Sequence, residues 1–177
     1  MGRQYFVDPL AILTADGTAV ANTTTETAVH QAFILPAHFM QDGRTIRIRA
    51  FGKLSTTGTP TITFALRWGT AAGTLLATTE ALTMGSGVTN VNWSIEIYAH
   101  VRTNGATGTI LAIGDCDVHT ASGTVLHNVF GVSGFDAPAA VTVNFTADTN
   151  LALTAGWSAA SASNTLTCVH FSCEALN

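Results

Sequence analysis

Three segments of this chain share one pattern: a run of alternating apolar and polar residues, a turn rich in Thr, Ser, Gly and Asn, and a second apolar run. They are Thr45–Trp68, Val91–Ile113 and Leu151–Phe171. Alternation with a period of two places successive side chains on opposite faces of a strand, so that one face is buried and the other meets water. Because no segment carries a convincing helix pattern, the sequence predicts an all-β chain built around three hairpins.

Further short apolar runs between turn residues bring the expected number of strands to about nine or ten. Short strands at regular spacing are typical of an antiparallel β-sandwich, and a jelly roll is the simplest way to connect them. A chain of 177 residues can form one core and does not require two. We therefore expect an irregular N-terminal arm over residues 1–26 and a single sandwich domain over residues 27–177.

The first segment is regular enough to predict its pairing. A hairpin with its loop at Ser55–Thr59 places Ile48 opposite Leu66, so that both apolar faces point to the core. The other face then carries four of the seven Lys and Arg residues, with Arg47 opposite Arg67; the four are Arg47, Arg49, Lys53 and Arg67. These four residues have two interpretations: a solvated face with carboxylates such as Glu96 nearby, or a partner-binding surface that faces an anion.

The aromatic residues divide between the two faces of the predicted strands. Trp68, Trp93 and Trp157 fall on inward faces, where core packing is the favoured interpretation. Phe51 and Tyr98 fall on outward faces and are the better candidates for exposed aromatics. An exposed aromatic side chain fits a protein–protein contact as well as it fits a sugar-binding surface.

One short segment concentrates potential metal ligands. Asp115, Asp117 and His119 share one face of an extended strand, which is a workable arrangement for a hard cation. The segment follows Gly114, however, and acidic residues after a glycine are also common at ordinary strand ends. No Cys-x-x-Cys or His-x-His spacing accompanies it, so we expect neither a metal nor another cofactor, and these three residues are the weak alternative.

The sequence contains none of the common motifs that place catalytic residues. It contains no Gly-x-Ser-x-Gly nucleophile motif and no glycine-rich phosphate loop. Cys116 stands between two aspartates, whose negative charge raises a thiol pKa and so disfavours the nucleophilic thiolate. The carboxylates show no concentration beyond Asp115 and Asp117. We therefore expect that the protein is not an enzyme.

Composition narrows the range of partners. Charged residues make up 10% of the chain and hydrophobic residues 47%, which leaves few charges to solvate an isolated surface, so we expect neighbouring subunits to cover part of it. The net charge of −4 argues against nucleic acid as a partner. The sequence shows no apolar run long enough to cross a membrane and no signal peptide. Three cysteines, an odd number, indicate synthesis in a reducing cytoplasm.

Two phrases of the chain, TIRIRAFGKLSTTGTPTITFALRWG and LALTAGWSAASASNTLTCVHF, resemble segments of small β-rich structural proteins of tailed-bacteriophage virions. The resemblance covers residues 45–69 and 151–171 and brings no site residues with it. It implies a virion protein without catalysis, made in the host cytoplasm. It further implies a homotrimeric jelly roll that decorates the capsid as a cement protein and binds the major capsid protein or other virion subunits.

Two other function classes stay open at this point. One is a receptor-binding or carbohydrate-binding module at a tail tip or head fibre, which requires an exposed aromatic cleft. The other is a metal-dependent enzyme centred on Asp115, Asp117 and His119.

Overall fold

The computed structural model describes residues 7–121, 123–134 and 136–176. These residues form two antiparallel sheets that pack face to face, which confirms the predicted all-β sandwich. No helix in these three ranges is long and apolar enough to cross a membrane.

Fourteen strands lie in the described part of the chain. They are β1 (Asp8–Ile12), β2 (Val20–Ala21), β3 (Thr27–Ala28), β4 (Ile34–Leu35), β5 (Thr45–Ser55), β6 (Thr61–Trp68), β7 (Thr74–Thr78), β8 (Leu82–Thr83), β9 (Val91–Thr103), β10 (Gly108–Ala121), β11 (Thr124–Phe130), β12 (Val141–Val143), β13 (Thr149–Trp157) and β14 (Thr165–Ala175). Four of the fourteen have only two residues, and the ten that are left agree with the expected nine or ten.

The larger sheet has eight strands in the order β1-β14-β5-β9-β10-β11, with β2 also beside β14 and β12 also beside β10. The smaller sheet has six strands in the order β3-β13-β6-β7, with β4 beside β13 and β8 beside β6. The β5–β6 and β13–β14 connections both cross from one sheet to the other, so that β5 pairs with β14 in the larger sheet and β6 with β13 in the smaller. Strands β9, β10 and β11 instead follow one another within the larger sheet.

Two of the three predicted hairpins are wrong, and both are wrong for the same reason. The turn after β5 carries the chain across the core, so that β5 lies in the larger sheet and β6 in the smaller one; β14 and β13 are divided in the same way. Ile48 therefore lies opposite Cys173 and Ile97, while Leu66 lies opposite Leu153. Alternation buries one face of a strand whether its successor pairs beside it or crosses to the opposite sheet, so the pattern did not distinguish the two.

The Val91–Ile113 segment is the hairpin that the sequence predicted correctly. Strands β9 and β10 pair along most of their length, with Ile113 opposite Tyr98 and a bulge between Thr109 and Ile110. The bulge lies in the return strand, where consecutive apolar residues hide the alternation. This hairpin places β9 and β10 side by side in the larger sheet.

The described part of the N-terminal arm is attached to the sandwich. Met1–Phe6 lie outside the described residues. Strand β1 pairs with β14 and places Asp8 opposite Ala175, and β2 pairs with the other end of β14 through Val20 and Leu166. Residues 8–12 and 20–21 thus extend the larger sheet of their own molecule.

The core lies between the two sheets and contains all three tryptophans, as the sequence predicted. Trp68, Trp93 and Trp157 are buried. The indole N–H of Trp157 donates to the carbonyl of Val20 at 3.1 Å, and the ring of Trp93 packs on Phe64 with 5.4 Å between ring centroids. The tryptophans therefore stabilise the fold and do not form an exposed sugar-binding surface.

His30 is a buried polar residue that joins the β3–β4 connection to β13. Its Nδ1 lies 2.8 Å from the carbonyl oxygen of Gln31, and its Nε2 accepts the N–H of Leu153 at 3.1 Å. The ring stacks on Phe171 with 3.8 Å between centroids. Burial lowers the pKa of His30 below its ordinary value of 6.5, although the hydrogen bond to Gln31 acts in the other direction. An accepting Nε2 requires the neutral imidazole, so protonation breaks the contact with Leu153.

We expect His30 to make the protein less stable in acid. Because the pKa is lower in the folded state than in the unfolded state, the stabilisation from His30 is complete above about pH 6.5 and is lost as the pH falls through the folded-state pKa. The free energy of unfolding of the wild type should therefore exceed that of His30→Gln at pH 8, and the difference should shrink by pH 5. Urea unfolding at both pH values measures it. A difference that stays constant would contradict the role given to His30.

Candidate contact surface

The solvent-facing side chains of β14, β5, β9, β10 and β11 form one continuous surface, called the outer face below. Because these strands pair in register, their side chains lie in rows across the sheet. The first row is Glu174, Arg47, Tyr98 and Ile113. The second begins at the buried Ser172 and continues on the exposed side with Arg49, Glu96, Asp115 and Val129. The third is His170, Phe51, Ser94, Asp117 and His127, and the fourth begins with Thr167, Lys53 and Asn92.

Large apolar side chains are unusually exposed on the outer face. Six of them are between 38% and 46% exposed: Phe51, Tyr98, Ile113, Val125, Val129 and Val169. The exposure of Phe51 and Tyr98 confirms the division of aromatic residues that the sequence predicted. Clustered apolar exposure of this kind marks surfaces at which proteins meet other molecules.

The four basic residues do not form one stripe, which corrects the predicted arrangement. Arg47, Arg49 and Lys53 follow one another along the outer side of β5, as alternation predicted. Arg67 lies on β6 in the smaller sheet, so Arg47 and Arg67 do not face each other. The cause is the crossing of the chain between β5 and β6.

Each of these four cations lies beside a carboxylate. On the outer face, Arg47 pairs with Glu174 at 2.5 Å and Arg49 with Glu96 at 3.1 Å. Lys53 lies 3.7 Å from Asp16 of the N-terminal segment. These carboxylates are the neighbours expected of a solvated face. A contact role for the four basic residues stays a prediction.

Arg67 is the least exposed of the four basic side chains, at 21%. Its guanidinium donates twice to Glu26, through Nε at 2.5 Å and Nη2 at 2.6 Å, and a third time to the carbonyl of Gly73 at 3.0 Å. The buried Thr154 hydroxyl also donates to Glu26. Burial alone would raise the pKa of Glu26, but the bonds from Arg67 and Thr154 outweigh it, and the pKa lies below its ordinary 4.5. This contact holds the N-terminal segment against the smaller sheet.

Glu96 joins β5 and β9 in the centre of the outer face. The hydroxyl of Tyr98 donates to one carboxylate oxygen at 2.6 Å, and Nε of Arg49 donates to the other. The Tyr98 bond is the largest influence that lowers the pKa of Glu96, and Arg49 adds to it. Glu96 is therefore ionised at neutral pH and bridges an aromatic and a basic residue.

Asp115, Asp117 and His119 lie on the same side of β10, as predicted, but the imidazole beside the aspartates is that of His127. Nδ1 of His127 lies 2.8 Å from Asp117, and its Nε2 lies 3.7 Å from Asp115. The hydrogen bond with Asp117 raises the pKa of His127. Within residues 7–121, 123–134 and 136–176, no three His, Cys, Asp or Glu side chains are grouped so that they could hold a metal ion.

The position of His127 follows from the register between β10 and β11, which sets Asp117 opposite His127. The available signal in the sequence was Gly123, which has a φ of 77° and marks the turn between these two strands. Reading β10 and β11 as a tight hairpin about this glycine would have brought His127 to the aspartates.

The three cysteines are buried and their thiols are protonated. Burial is the main cause that raises the pKa of Cys116, and the charge of Asp117 adds to it, so the direction predicted from the sequence is confirmed. Burial likewise raises the pKa of Cys168 to about 11 and that of Cys173 to about 12. None of the three provides a thiolate at neutral pH.

A hollow of about 560 Å³ opens at one end of the outer face. Phe51, Val125 and Val169 supply its apolar wall. Its polar lining includes Asn92, Ser94, Asp117 and His119. An aromatic ring beside amide, hydroxyl and carboxylate groups can contact the apolar face of a small polar ligand while bonding to its hydroxyls.

Comparison with known proteins identifies no relative: no family model matches the chain, and neither the curated proteins nor the solved structures include a significant match.

Proposed function

We propose that this protein is a non-enzymatic structural protein of a tailed-bacteriophage virion, where it decorates and stabilises the capsid as an oligomer. The observation that carries the proposal is the outer face, with six large apolar side chains 38% to 46% exposed. The low content of charged residues, 10% of the chain, supports the same conclusion, because a surface with few charges is suited to being covered.

The role would be mechanical. The two sheets share one core, so the sandwich can transmit force without changing shape. The outer face contacts a neighbouring virion subunit, with Arg47, Arg49 and Lys53 as its charged groups. A durable contact of this kind buries about 800 Å² on each partner. The added buried area holds shell subunits together against the pressure of the packaged DNA.

Removal of the chain from the particle tests this function. Particles that lack it should release their DNA at a lower temperature than complete particles, and added purified protein should bind them with a fixed stoichiometry and restore the wild-type temperature. Arg47→Glu should restore it less well, because the reversed charge repels Glu174 and the contacting subunit. Glu80→Arg, a charge reversal in the exposed segment between β7 and β8, is the control. Equal release temperatures with and without the chain would contradict the proposal.

The hollow at Phe51 favours a second candidate function, a carbohydrate-binding or receptor-binding module. Under this alternative, glucose, galactose or N-acetylglucosamine shifts the NMR signals of Asn92 and Ser94, and Phe51→Ala abolishes the shifts. Capsid decoration without sugar recognition predicts no saturable shift with any of the three.

A further inference from the structure

We propose that the outer face is a self-association surface, on which a second copy of this chain packs face to face about a two-fold axis. This inference rests on the proposed function only in that the neighbouring virion subunit on the outer face is taken to be a second copy of this chain.

Charge on the outer face is divided between two halves. Within the four rows, β14 and β5 carry three cations (Arg47, Arg49 and Lys53) against one carboxylate (Glu174), and Asp16 of the N-terminal segment adds a second carboxylate beside Lys53. Strands β9 and β10 carry three carboxylates, namely Glu96, Asp115 and Asp117, and β11 adds the single imidazole of His127. One half is therefore net positive and the other net negative. A surface with this division is complementary to a rotated copy of itself.

The division selects one of two simple arrangements. A two-fold axis that runs parallel to β9, between the copies, places β5 of each copy over β10 of the other, so that in the second row the cation Arg49 meets the carboxylate Asp115. An axis perpendicular to the strands would instead place β5 over β5 and β10 over β10, so that like charges meet. Both arrangements keep the strands of the two copies roughly aligned, which is the common way for two sheets to pack, so the charges alone select the first.

Arg49 and Asp115 are the pair that this arrangement brings together. They lie in the same row, on either side of Glu96, so the rotation places Arg49 of one copy over Asp115 of the second. Arg49 uses only its Nε for Glu96, and no described residue bonds to its two terminal nitrogens. The Asp115 side chain is 66% exposed, and its nearest cationic partner is His127 at 3.7 Å. Free donors on one copy thus meet a free acceptor on the other.

Glu96 is the like-charged group closest to the axis. In each copy, Arg49 already pairs with Glu96 of the same chain. Its terminal nitrogens point to Asp115 of the second copy, so each arginine offsets the negative charge of two carboxylates near the axis. Tyr98, in the neighbouring row of the same strand, meets Tyr98 of the second copy and contributes apolar contact at the axis.

The size of the outer face is that of a stable interface. Five strands about 4.8 Å apart give a width of about 24 Å, and the ten residue pairs of the β5–β9 ladder, at about 3.4 Å each, give a length of about 34 Å. The projected area of about 800 Å² is of the same order as the area that a standard interface buries on each partner. Pairing the two faces would also cover the six exposed apolar side chains.

The oligomeric state in solution tests the proposal. Light scattering after size exclusion should give the purified full chain a mass of twice 18.4 kDa. Arg49→Asp places aspartates on both sides of the contact and Asp115→Arg places arginines there, so each variant alone should dissociate at least about tenfold more readily. An equimolar mixture of the two variants should form a dimer, because each reversed charge then meets its opposite. Glu80→Arg is the control and should leave the dimer unchanged.

The outcomes separate this proposal from the proposed function. A wild-type monomer, a trimer such as the virion resemblance implies, or a mixture of variants that stays monomeric while each variant remains folded by circular dichroism would overturn the two-fold dimer. Each of these results leaves the capsid role standing, since that role is tested on particles. A dimer in solution, together with equal DNA-release temperatures of particles with and without the chain, would contradict the capsid role alone.

Discussion

Replacement of Gly52 by alanine is expected to destabilise the protein by about 3 kcal/mol or more, or to prevent folding. Gly52 lies on β5, with the ring of Trp93 directly beneath it. An alanine methyl would lie 2.6 Å from Cε2 and Cζ2 of that ring, and it would also press on the carbonyl oxygen of Thr167 in β14. The carbonyl belongs to the ladder that joins β14 to β5, so the clash cannot be relieved without separating two central strands.

Gly156 in β13 provides a matched control for Gly52. Both glycines lie in strands, and neither has a positive φ. A methyl group at Gly156 would meet only Glu26, at 3.7 Å, which is an ordinary contact. Gly156→Ala should therefore leave the free energy of unfolding unchanged or slightly raise it. Chemical denaturation of the two variants measures the comparison, and equal stabilities would contradict the packing described around Trp93.

Replacement of Arg67 by methionine is expected to lower the free energy of unfolding by about 2 kcal/mol at pH 7. The change removes both bonds to Glu26 and leaves its carboxylate, which is 29% exposed, without a cation. Lys53→Met is the control, because the Lys53–Asp16 pair is wider and more exposed, and its loss should cost about 0.5 kcal/mol or less.

The pH dependence of the Arg67 effect gives an independent check. The folded-state pKa of Glu26 lies below its ordinary 4.5, so the stabilisation is present above about pH 4.5 and is lost as the pH falls through the folded-state value. The difference between wild type and Arg67→Met should therefore shrink toward pH 3. Glu26→Gln should recover part of the stability when it is added to Arg67→Met. A difference that does not depend on pH would show that the lost stability comes from packing of the arginine stem alone.

The sequence predicts the class of fold because alternation is a local property. The inward positions of Trp68, Trp93 and Trp157 and the outward positions of Phe51 and Tyr98 all follow from counting along single strands. Strand partners are a different matter. Ile48 pairs with Cys173, and Arg47 pairs with Glu174, 127 positions away. Nothing in the local pattern of β5 selects β14 over β6 as its neighbour.

For the candidate surface, too, the side of the strand on which each residue lies was predictable, and the neighbouring strands were not. That Arg47, Arg49 and Lys53 share one side of β5 follows from alternation, as does the shared side of Asp115 and Asp117. The position of β9 between them depends on the strand order, so the division of the outer face into a positive and a negative half emerges only from the structure. The strand order also explains why Arg67 lies in the smaller sheet, away from the other three basic residues.

The most direct test of the virion role is to image, by electron cryomicroscopy, the particle that contains this chain, with and without a label on the protein. The proposed function predicts density for the two-sheet sandwich at symmetry-related positions over the whole capsid shell, with a fixed number of copies per particle. Density confined to the tail tip or to head fibres, or a complete particle that contains none of the labelled chain, would contradict it.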